Sequence, residues 1–89
     1  MTQRFVKDPD AVLDYVVDWS DWLGTDTISS SSWTVPTGIT KDSDTNTTTT
    51  ATIWLSGGTE GAEYRVTNQI VTTDGRTDER SIIIKVDER

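Results

Sequence analysis

The chain has 89 residues, one small domain whose folding buries only roughly 60–65% of the surface that its unfolded form exposes. With no histidine and no cysteine, it can form no disulfide, no thiolate metal site and no Ser-His or Cys-His nucleophile pair. Fifteen acids against eight bases give a net charge of −7, the wrong sign for coating nucleic-acid phosphates or an anionic membrane surface.

No uninterrupted apolar run exceeds three residues, as in Ile82-Ile83-Ile84, far short of the ~20 residues of a membrane span. The segment from Met1 to Phe5 lacks the apolar core of a signal peptide. Seventeen Thr, eleven Asp, eight Val and seven Ile favour strands joined by Asx-type turns.

Arg4 to Lys7 reads as a short edge strand. Asp8-Pro9-Asp10 is a turn or strand entry, because Pro cannot donate to a ladder. From Val12 to Trp19, Leu13, Tyr15, Val17 and Trp19 recur at period two and predict a strand with one buried side; Val12, Asp14, Val16 and Asp18 fall on the other. Ser20 to Gly24 leaves that strand through a turn, read as one 3₁₀ turn closing on Gly24. A second strand is expected over Thr27 to Val35, its serines marking an edge and Trp33 pinning it to the core. Thr37-Gly38 is a turn and Ile39 begins a short strand. Lys41 to Asn46 is expected to be a polar loop, and Thr47 to Leu55 a strand with Ala51, Ile53 and Leu55 on one face and Trp54 among threonines on the other.

Ser56 to Gly61 is a tight, glycine-rich connection, and Glu63 to Thr73 is the clearest strand, with Tyr64, Val66, Asn68 and Ile70 on one face. Asp74-Gly75 is a two-residue hairpin signal. Its partner strand runs from about Asp78 to Val86, with Ile82, Ile84 and Val86 on one face, before the charged tail Asp87-Glu88-Arg89. Six or seven antiparallel strands, turn signals at short intervals and no helix of any length predict an all-β, immunoglobulin-like β-sandwich occupying residues 1–89 as a single domain. The crossing from Leu55 to Val66 through glycines, with Tyr64 opening the next strand, resembles a tyrosine corner.

Candidate sites are sparse. Asp42-Ser43-Asp44-Thr45-Asn46 matches the first three ligand positions of a calcium loop, but Thr47 stands where the loop needs glycine and Ile53 where it needs the bidentate acid. The solvated loop is therefore favoured. Asp14 and Asp18 share a strand face about 13 Å apart at strand rise, too far for a glycosidase pair. Asn46-Thr47-Thr48 fits a glycosylation sequon, relevant only in a eukaryotic secretory setting. No catalytic residue, cofactor or metal is expected. Trp19 and Trp33 are assigned to the core, with Tyr64 and Gly58 as further structural residues. Trp22 and Trp54 are candidate partner-binding residues, since an exposed Trp makes a good interface anchor. Arg76 and Arg80 join them, although their cluster with Asp78 and Glu79 also suits an ordinary hairpin end.

Several stretches resemble one family. They are Lys7-Asp8-Pro9-Asp10-Ala11-Val12-Leu13-Asp14-Tyr15, Asp18-Trp19-Ser20-Asp21-Trp22-Leu23, Trp54-Leu55-Ser56-Gly57-Gly58-Thr59, Tyr64-Arg65-Val66-Thr67-Asn68 and Gly75-Arg76-Thr77-Asp78-Glu79-Arg80-Ser81-Ile82. Together they resemble small proteins of tailed phages and prophages labelled fiber-tail adaptor proteins. The resemblance spans about Arg4 to Val86, with Thr37 to Asn46 contributing nothing. It implies a non-enzymatic virion structural protein of adaptor or decoration type, made in the bacterial cytoplasm and docking on other virion proteins or on itself, with no nucleic-acid or membrane partner. The alternative is a carbohydrate-binding module that contacts a cell-surface glycan through an exposed Trp. It is disfavoured because a sugar site needs polar groups beside the ring.

Overall fold

The computed structural model describes residues 3–87. Met1 and Thr2 of the N-terminal segment and Glu88 and Arg89 of the expected charged tail lie outside them. Among the described residues, seven strands and one helical turn follow in order: β1 (Gln3–Lys7), β2 (Leu13–Asp18), α1 (Ser20–Leu23), β3 (Ile28–Thr34), β4 (Ile39–Asn46), β5 (Thr50–Gly57), β6 (Glu63–Thr72) and β7 (Thr77–Val86). They form a β-sandwich with a four-stranded sheet ordered β1-β7-β6-β3 and a three-stranded sheet ordered β2-β5-β4.

The core follows from strand alternation. Tyr15 and Val17 of β2, Ala51, Ile53 and Leu55 of β5, Tyr64, Val66 and Ile70 of β6, and Ile82, Ile84 and Val86 of β7 are all buried between the sheets. Each strand turns every second residue inward, so the pattern that marked the strands also selects their buried faces. Leu13 departs from this expectation. It is the first residue of β2, an edge strand of its sheet, and is 38% exposed. Trp33 packs against the core and is half-buried rather than fully enclosed, because β3 is an edge strand.

Other expectations are corrected by pairing. β1 runs parallel to β7, with Phe5 opposite Ile84, so the strands are not all antiparallel. Lys41 to Asn46 is no loop. It extends the strand begun at Ile39, paired with β5 and interrupted by an irregularity at Asp42. Its polar composition suits an edge strand whose backbone is satisfied on one side by β5. The hairpin turn falls instead on Thr47 to Thr49. The Thr47 hydroxyl accepts the backbone N–H groups of Thr49 and Thr50 at 3.2 and 3.0 Å. The carbonyls of Thr49 and Thr48 accept Trp19 N–H and Ile28 N–H, each at 2.9 Å. The threonine tract therefore divides between a turn and a strand. Ser20 to Leu23 forms one α-turn rather than a 3₁₀ turn, and Gly24 follows at φ +62°.

The Thr72–Arg76 backbone bond closes the β6–β7 hairpin on three residues, Thr73 to Gly75, rather than two. Thr72 N–H donates to Arg76 C=O at 2.8 Å and Gly75 N–H donates to Thr72 C=O at 3.0 Å, with Gly75 at φ +92°. The extra residue makes the bulged three-residue connection that a positive-φ glycine permits.

Candidate functional site

The structure spans 41 × 23 × 18 Å, and the residues singled out from sequence divide between its two ends and one face. Trp54 lies on β5, the central strand of the three-stranded sheet. Asp14 of β2 and Ser43 of β4 stand directly opposite it. Its neighbours Ile53 and Leu55 are buried, whereas Trp54 is 39% exposed. Alternation thus turns this indole away from the core, as its position among threonines implied.

Trp22, Arg76 and Arg80 belong to one end. Trp19, fully enclosed at the close of β2, donates its Nε1–H to Asn68 Oδ1 at 2.9 Å. Asn68 in turn donates to Ser31 Oγ at 2.9 Å and to Ser32 C=O at 3.0 Å. One buried amide therefore ties the residue just after β2 to β3 through β6. The Arg80 guanidinium lies 4.3 Å from the centre of the Trp19 ring and donates to Asp18 C=O at 2.9 Å. Trp22 of α1 meets the Trp19 ring edge-on at 5.4 Å. Arg76 covers Trp22 at 4.3 Å and donates to Leu23 C=O at 3.0 Å. Arg80 of β7 and Arg76 of the turn before it reach the connection that leaves the other sheet, and stacking over indole is favourable for their charge.

Asp26 completes this end and carried no signal in the sequence beyond being one acid among many. Its carboxylate is buried. It accepts Thr27 N–H at 2.8 Å, Asp74 N–H at 3.2 Å and Arg76 Nε–H at 3.1 Å. Burial alone raises its pKa, but hydrogen bonds from the Thr72 hydroxyl, Thr27, Arg76 and Asp74 outweigh that and bring it down to about 2. A carboxyl whose folded pKa is depressed stabilises the fold fully above its unfolded pKa, and loses that contribution as pH falls toward the folded value. Stability is therefore expected to decline from about pH 4 to about pH 2. Asp26→Asn is expected to be less stable at neutral pH and to show a shallower decline over that window. Urea titrations at a series of pH values measure both.

The opposite end holds Tyr64, two glycines and a buried lysine. The Tyr64 hydroxyl accepts Thr59 N–H at 3.0 Å, the bond expected of the corner at the start of β6. A Cβ on Gly38 would sit 2.9 Å from Tyr64 Cε1, and one on Gly58 would sit 2.6 Å from Val86 Cγ2 and 3.5 Å from Tyr64 Cε2. The phenol ring is thus held in a slot that side chains at either position would fill. Lys7 is 0% exposed and donates from Nζ to the carbonyls of Asp8 and Gly57, each at 2.8 Å. Burial pushes its pKa down, against the opposing pull of Asp8, Asp10 and Asp42. Its signal was present in the alternation, since Lys7 shares the inward face of Phe5.

Asp42, Ser43 and Asp44 do not gather around a common centre. Asp42 accepts the Ser56 hydroxyl at 2.9 Å, and Asp44 pairs with Lys41 at 3.0 Å. A groove of about 430 Å³ opens beside β2, lined by Gln3, Val16, Asp18, Asp21, Arg80 and Ile82 among others; Trp22 and Trp54 are not part of its lining.

The chain matches a family model described as podophage GP4 fiber-tail adaptor protein gp77 over residues 7–85. No curated protein matches it.

Proposed function

Because the chain belongs to the podophage GP4 fiber-tail adaptor family, we propose that it is a non-enzymatic structural part of the virion that docks on other phage tail proteins. The family match across residues 7–85 carries this reading. A rigid two-sheet scaffold supports it, because a docking surface is held best on strands whose own side chains are locked by packing.

The scaffold is, on this reading, immunoglobulin-like. The orders β3-β6-β7 and β2-β5-β4 correspond to the two sheets of that fold with its first strand placed beside the last. Tyr64 occupies the corner position at the start of β6, and buried Val66 stands two residues on, where antibody domains carry a cysteine. Trp54 is the primary contact residue, being exposed on a sheet face. Trp22, Arg76 and Arg80 brace the end that closes over Trp19 and present it as a second contact.

Mass spectrometry and electron microscopy of purified particles test the proposal. Several copies of the protein in each particle, at a position between tail proteins, are the expected result. Its absence from particles produced by a host that expresses the gene overturns the reading. A glycan-array signal abolished by Trp54→Ala replaces it with the carbohydrate-binding alternative.

A further inference from the structure

The two outer faces of the sandwich differ in charge. Alternation and register turn Asp14 and Asp18 of β2, and the irregularity places Asp42 of β4, on the same outer face as Trp54. Among the described residues, no lysine or arginine shares that face. Lys41, the cation of this sheet, stands opposite inward-facing Leu55 and is paired with Asp44 along the edge. Val16, 44% exposed, adds an aliphatic surface on the neighbouring strand. The outer face of the four-stranded sheet has the opposite balance: Arg4, Arg65 and Lys85 accompany Glu63 and Glu79, and Arg4 is already paired with Glu63.

An exposed indole at the centre of a sheet face, with Asp14 directly opposite it and Asp42 on the flanking strand, calls for a partner that supplies both a pocket and positive charge; Asp18, farther along β2, already faces Arg80. We infer that the outer face of β2-β5-β4 docks a lysine- and arginine-rich surface on a different polypeptide, with Trp54 at the centre of the contact. This rests on the adaptor reading and specifies its partner chemistry. A second copy of the chain fits poorly. Each copy carries a net charge of −7, and its more basic face offers, among the described residues, Arg65 and Lys85 without ion-pair partners. Like-charged chains repel at the separations over which surface charges act, ~8 Å at physiological salt. Arg76 and Arg80 take no part in this contact, because their guanidinium groups are committed to Trp22, Asp26, Trp19 and Asp18.

Photocrosslinking in assembled particles tests the assignment. Trp54→p-benzoylphenylalanine and, on the opposite face, Gln69→p-benzoylphenylalanine are incorporated during phage growth, and adducts are mapped by mass spectrometry. The expected result is an adduct from position 54 on a basic segment of another tail protein. In parallel, Asp14→Lys is expected to lower the copies per particle about tenfold or more, since it sets a like charge against the basic partner surface. Arg65→Glu, with matched thermal stability, leaves the copy number unchanged. An adduct from position 69 alone, an adduct to a second copy, a target segment without Lys or Arg, or no adduct from position 54 in particles that contain the protein overturns the inference while leaving the adaptor reading intact. Absence of the unsubstituted protein from particles overturns both.

Discussion

Trp19→Ala is expected to destabilise the protein by about 3–5 kcal/mol, the cost of emptying a large buried aromatic site. A chain of this length has a total stability of only about 4–13 kcal/mol, so the variant is expected to be partly unfolded at 37 °C or to melt far below the parent. The loss has three sources. The indole is fully enclosed, so its removal leaves a cavity. Its Nε1–H satisfies Asn68 Oδ1 inside the core. Its ring also carries the Arg80 guanidinium and the edge of Trp22. Trp19→Phe separates these sources. It keeps much of the volume and a ring for Arg80, but strands the Asn68 oxygen, a cost of about 1–3 kcal/mol. Urea unfolding of Trp19→Phe, Asn68→Ala and the double variant reads the coupling directly. The double variant is expected to be more stable than the sum of the single losses predicts, because each single change already breaks the shared bond. Strict additivity would show that the buried bond contributes nothing beyond packing.

Gly58→Ala carries the second large effect. Gly58 has φ +98°, and an added Cβ would lie 2.6 Å from Val86 Cγ2. Val86 cannot move aside cheaply, since it is buried, β-branched and held in β7 beside Lys7 of β1. Backbone strain of about 1–3 kcal/mol and overpacking of about 1–3 kcal/mol are expected to act together. Gly57→Ala is the control. It has φ +75° and nothing within 4 Å of the added carbon, so it bears only the backbone part, about 1–2 kcal/mol. Thermal melts of the pair should place Gly58→Ala well below Gly57→Ala. Equal melting temperatures would mean that the close approach of the crossing to β7 does not constrain this end. Val86→Ala is expected to recover part of the Gly58→Ala loss by opening the space the methyl needs, although it sacrifices core contact of its own.

These two sites show how unevenly the molecule could be read in advance. The face carrying Tyr64, Val66, Asn68 and Ile70 was plain from alternation, and so was the outward direction of Trp54. Asn68 shares the face of Tyr64, Val66 and Ile70 in the sequence pattern, but nothing near it in the chain says that its amide bonds Trp19, 49 residues away. Arg76 and Arg80 read as a hairpin-end charge cluster. Their stacking over Trp22 and Trp19 depends on the segment after β2 meeting the hairpin between β6 and β7, a contact between distant segments. The polar stretch from Lys41 to Asn46 reads as a loop from its composition alone. It is a strand because β5 offers it a backbone ladder, and an edge strand needs no apolar face of its own.

The period-two pattern by itself determined that this protein is a sandwich of strands, which side chains of β2, β5, β6 and β7 face inward, and that glycines and a tyrosine close the crossing between sheets. The tertiary structure alone decided which strands are neighbours, that β1 joins β7 in parallel, and that one outer face gathers carboxylates around Trp54 while the other mixes charges. The pleat is a local property of consecutive residues, so alternation is written along the chain. Neighbour order and the sharing of charge between faces arise from pairings across tens of residues, fixed by turns, bulges and the burial of both sheets at once.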